Sequence, residues 1–168
     1  MEDTFYSTSA TAAFALLGLW WVVVAERRRE WLDVAARRRQ AYTVSLYFTL
    51  PGVMSLVSLV SKEQTTVWRV AFGVAGVVGL LETGSALLAM RTKPQYRGKF
   101  ALLLLATFPF YAAVVAVAIN PSVAHDLGIN LKPLATEALL VSSLIFLGVN
   151  FAWILFFEPG PGPSTTAD

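Results

Sequence analysis

The chain contains no cysteine and a single histidine, His125. Without thiols, disulfides, thiolate catalysis, iron-sulfur clusters and Cys-ligated zinc are excluded by residue count. His125 lies in the connection "NPSVAHDLGINLKP", so the paired helical histidines of a membrane b-type haem are absent too. No metal and no cofactor is expected. The start "MEDTFYSTSA" has no Lys or Arg before Arg27, so it lacks the basic region of a cleaved signal peptide, and the first apolar stretch is expected to stay. No P-loop, H-E-x-x-H or G-x-S-x-G motif occurs. Lys62, Lys93, Lys99 and Lys132 all fall at helix ends, which removes a retinal-type Schiff base, and the Arg triplets are juxtamembrane, which removes a voltage sensor. No nucleic-acid partner is expected.

Charge is scarce: 14% of residues are charged against 56% hydrophobic, and the mean hydropathy is +0.61. What fills the chain instead is apolar length. Runs long enough to cross a bilayer, roughly 20 residues each, fall at about 8–25, 43–61, 67–90, 99–119 and 134–157. They predict an all-α integral membrane protein, a five-helix transmembrane bundle forming one domain over residues 1–158. The tail "EPGPGPSTTAD" alternates Pro with Gly and then turns polar, so residues 159–168 are expected to form a disordered cytoplasmic end.

Orientation follows from the arginines. "ERRREWLDVAARRRQ" sets six Arg against Glu26, Glu30 and Asp33, and "RTKPQYRGK" holds Arg91, Lys93, Arg97 and Lys99 with no acid. The positive-inside rule makes both cytoplasmic. The N-terminus is then outside and the C-terminus inside, as in a bacterial inner (cytoplasmic) membrane protein. Arg27 to Arg39 serve first to fix this topology. As an interfacial helix, with Trp31, Leu32 and Ala35 toward the membrane, the same segment would also meet anionic lipid headgroups.

Within "VAGVVGLLETGSALLAM" one carboxylate, Glu82, sits among apolar residues. At roughly 100° per residue, Val70, Val74, Val77, Val78, Leu81 and Leu88 share one face of this helix. Ala75, Gly76, Gly79, Glu82, Thr83, Ala86 and Ala89 share the other. The small face suits close helix approach, so Glu82 is expected to point into the bundle. An ion at the centre of a span costs roughly 2.5 kcal/mol or more, so the carboxylate needs a proton, a partner or a hydrated cavity.

Glu82 lies eight residues before Met90, on the order of 12 Å into the membrane, and no Lys or Arg lies in the interior of any expected span to pair with it. The other helices bring Gly18, Thr49 to Gly52, Thr107 to Pro109 and Asn150 to it. Pro51 and Pro109 each remove a helical hydrogen bond and free a carbonyl. The candidate ligand-binding set is therefore Glu82, Asn150, Thr107, Thr49, Trp153, Phe108 and Phe110, with Phe146 and Tyr111 close in sequence. Ser45, Thr49, Gly52, Ser55 and Ser58 form a further small stripe, read as a packing seam.

Three functions follow. The first is binding or transport of a proton, small cation or small organic ligand at Glu82, in a homo-oligomer because five helices leave little room for a private pathway. The second is an intramembrane enzyme of the isomerase or cyclase type, with Glu82 as catalytic general acid and Tyr111 to take the proton back. The third is an accessory subunit packed on a membrane partner. Length and span count are similar to those of the tryptophan-rich sensory, or translocator, proteins; their Trp-Pro-Pro pattern does not occur here, so no membership is drawn.

Overall fold

A computed structural model describes residues 2–31, 35–61, 64–92, 99–123 and 133–157. The helices are α1 (Glu2–Glu26), α2 (Arg28–Trp31), α3 (Ala35–Val60), α4 (Thr65–Thr92), α5 (Lys99–Ile119) and α6 (Pro133–Phe157). All but the four-residue α2 are long and apolar enough to cross a membrane. Among the described residues there is no strand. The tail and the connections at 62–63, 93–98 and 124–132 lie outside the described residues.

Helices α1 and α3 begin before the apolar runs expected for them. Their extra turns carry Ser, Thr and Arg, which hydropathy counts against a span although a helix tolerates them. Hydroxyls at the start of the expected runs bond back onto these turns: Thr11 donates to the Ser7 carbonyl at 2.9 Å and Thr43 to the Arg39 carbonyl at 3.0 Å. Pro51 and Pro109 are carried inside α3 and α5.

Helices α3, α4, α5 and α6 form a ring in which each packs on the next and α6 closes back onto α3. Helix α1 lies outside this ring against α3 and α6, so α3 touches three spans. The ring is filled by Tyr47, Phe72, Tyr111, Val141, Leu144 and Phe151, all 2% exposed or less. Outward residues such as Leu19, Val74, Leu105, Leu139 and Phe146 form an apolar belt. That is the reverse of a water-soluble surface and what hydrocarbon demands. Between the first half of α1 and α6 lies an open groove of about 410 Å³ lined by Phe5, Ala12, Ile145 and Phe146 among others.

Two glycines set the helix spacing. A Cβ on Gly79 of α4 would run into the Tyr111 ring of α5, and one on Gly148 of α6 would come within 2.8 Å of the Tyr47 Cβ on α3. Small residues here let the backbones approach, and dispersion contacts replace a hydrophobic drive that lipid does not supply. On α4 the faces largely follow the periodicity: Val70, Val74, Val77, Leu81 and Leu88 are exposed and Ala75, Gly76, Gly79, Thr83 and Ala86 are buried, while Val78, expected toward lipid, and Glu82, expected inside, are both half-buried.

At the arginine-rich end the chain folds back on itself. Trp31 is 4% exposed and its ring lies 5.7 Å from that of Trp20, whose indole N–H donates to the Ala41 carbonyl at 3.0 Å. Trp31 thus packs on α1, whereas an interfacial helix would turn it to the membrane. Ala35 is exposed, and Leu32 lies outside the described residues.

Candidate functional site

Glu82 is half-buried, between the packed row Gly79, Thr83, Ala86 and the exposed Leu81. It stands roughly 60° around α4 from Gly79, so the core position of this turn belongs to Thr83, 1% exposed. Its flank is the one that faces α3. Ser85, three residues on, accepts a hydrogen bond from Arg39 Nη2 of α3 at 2.7 Å and donates its own hydroxyl to the Glu82 carbonyl at 2.9 Å. A guanidinium therefore stands at Ser85, about one helical turn along α4 from Glu82. Counting depth along the chain places Cα atoms only, and Arg39 reaches this level by its long side chain.

Behind Glu82 lies a layer of buried hydroxyls. The Tyr47 hydroxyl faces Thr107 and Thr83 without closing a hydrogen bond to either. Its ring stacks on Phe151 at 4.6 Å and meets Tyr111 at 5.9 Å. Thr107, fully buried, donates to the Leu103 carbonyl of its own helix at 2.7 Å. The structure thus gathers Thr107 and Tyr111 with Tyr47 and Thr83 in the core, and sets Glu82 at the edge of that group.

The remaining candidates are spread around the bundle. Thr49, half-buried, donates to the Ser45 carbonyl at 2.9 Å. Asn150, also half-buried, donates to the Phe146 carbonyl one turn back on its own helix at 2.8 Å. Phe110 is half-buried. Phe108 and Trp153 are 43% and 66% exposed, outside the core. Residues adjacent in sequence to the polar layer are here on different faces of α5 and α6.

One residue escapes the sequence reading. Glu137 of α6 is 0% exposed, and neither carboxyl oxygen has a hydrogen-bond partner. It falls near the start of its span, where a carboxylate is expected to reach the interface. The available signal was spacing: 137, 141, 144, 148, 151 and 155 alternate steps of four and three, and every one of these positions is buried.

Among the described residues no group of three or more His, Asp or Glu side chains gathers to hold a metal. Among the described residues, fold and site together define an integral membrane bundle of five helices long and apolar enough to span, with Glu82 and Glu137 set within two of them. No protein-family profile, characterised protein or solved structure matches the chain.

Proposed function

We propose that this membrane protein binds or transports a proton or small cation at Glu82. The observation that carries the reading is the Arg39–Ser85 bond beside Glu82 on an open flank of α3 and α4. The carboxylate can be reached there without parting the core. When no cation occupies the site, Arg39 would neutralise Glu82; an arriving cation would take its place. Small organic ligands with a cationic group fit the same chemistry.

The reading carries its context with it. Lys and Arg counts favour an N-terminus outside and a C-terminus inside, in a bacterial cytoplasmic membrane. A homo-oligomer fits as well, because a second copy laid over the α3/α4 flank would enclose Glu82. The enzyme alternative, with Glu82 as acid and Tyr111 as proton return, draws less support, since Phe108 and Trp153 turn outward.

The test is flux in proteoliposomes carrying an entrapped pH-sensitive dye, with and without monovalent cations. Glu82→Gln should fold and lose flux at least tenfold, and Arg39→Gln should change the dependence on cation concentration. Unchanged flux in Glu82→Gln would make the residue a structural one.

A further inference from the structure

Glu137 lies on the buried stripe of α6 that faces α3, on which Gly148 meets Tyr47. The two helices are antiparallel. Glu137 is eleven residues before Gly148 and Ser58 is eleven after Tyr47, so Glu137 packs at the level of Ser58, with Ser55 about one turn nearer the middle. Around α3, Ser55 falls between Tyr47, which meets α6, and Gly52, which meets Phe14 of α1. Ser55 is itself 0% exposed with an unpartnered hydroxyl. Two unpartnered side chains thus share the seam of α1, α3 and α6.

No charge among the described residues is set against Glu137. On α3 that end offers the hydroxyls Ser55, Ser58 and Ser61, and Ser58 donates to the Met54 carbonyl at 3.0 Å. On α5 it offers Val114, Val117 and Ala118. Arg69 of α4 is engaged by the Ala118 and Ile119 carbonyls. Helix α1 brings Asp3 and Tyr6, each engaged in a contact of its own. Lys62, Glu63, His125, Asp126 and Lys132 lie outside the described residues.

We propose that Glu137 is a proton-binding site separate from Glu82, loaded while α3 and α6 are packed together and emptied when their ends on that side part. A sealed carboxylate without cation or donor is far costlier than a neutral acid, so the packed seam selects the acid. Parting admits water. The carboxyl O–H bond then breaks, the proton passes to water, and a hydrated carboxylate remains; repacking takes a proton up again. The closed bundle therefore binds one proton more than the parted one, and acidification favours closure. The site would serve any function of the chain, and it does not rest on the role of Glu82.

Infrared spectra in lipid provide the test. A protonated-carboxyl stretch at neutral pH should be present in the wild type, persist in Glu82→Gln and lose its Glu137 component in Glu137→Gln; a spectrum unchanged by Glu137→Gln overturns the proposal. Thermal unfolding in detergent gives a second readout. Relative to Glu137→Gln or Glu137→Met, the wild-type folded-to-unfolded ratio should fall about tenfold per unit rise in pH, since the unfolded chain has released the proton. Parallel pH profiles overturn it. If neither Gln nor Met folds, the negative charge is required and the proposal fails.

Discussion

Gly79 and Leu81 are two residues apart on α4 and face opposite environments, the Tyr111 ring and the lipid belt. Gly79→Leu drives a branched side chain into that ring and should cost about 1–3 kcal/mol. Leu81→Ala should stay within about 0.5 kcal/mol. Thermal melts in detergent compare them, and equal losses would invert the face assignment. Asn150 tells a different story, because its amide is spent on its own helix. Asn150→Leu should leave folded yield and melting temperature nearly unchanged; a large loss would identify an interhelical bond. Periodicity made the α4 faces legible, since five exposed and five buried positions fall as expected. For Phe108 and Trp153, nearness in sequence to the polar layer is not nearness in space. Phe108 adjoins the buried Thr107, and a step of about 100° per residue turns it outward.

At the scale of elements, the spans were readable because lipid imposes one rule: each helix must be long, apolar and internally hydrogen-bonded. What length and hydropathy cannot report is how the helix ends meet. Arg69, near the start of α4, donates Nε to the Ala118 carbonyl at 2.7 Å and a second N–H to the Ile119 carbonyl. These are end-of-helix carbonyls without intrahelical partners, and a guanidinium suits both their geometry and the negative end of the helix dipole. Arg69→Leu should therefore cost roughly 1–3 kcal/mol. Faster amide exchange should appear at the end of α5, while the start of α5 is unaffected; uniform exchange along α5 would deny the cap. Glu137 was missed for a related reason. An acid four residues into a run that begins near 133 looks interfacial until the ring of helices is known to close over it.

For the whole molecule, the five spans fix how many times the chain crosses and leave the direction to charge. With the N-terminus outside, a single cysteine at Gln64, in a chain that has none, should react with an impermeant maleimide added to intact cells. Reaction only from the cytoplasmic side would reverse the topology.

Order of synthesis gives the buried acid a further meaning. Glu137 rides on α6, which follows α3, α4 and α5 in the chain. Had it been carried by an earlier span, it would have entered lipid with no bundle to receive it, where an acidic side chain is most expensive. As it is, the ring helices α3, α4 and α5 are already made when α6 emerges, so this unpartnered acid enters a slot that earlier spans have built.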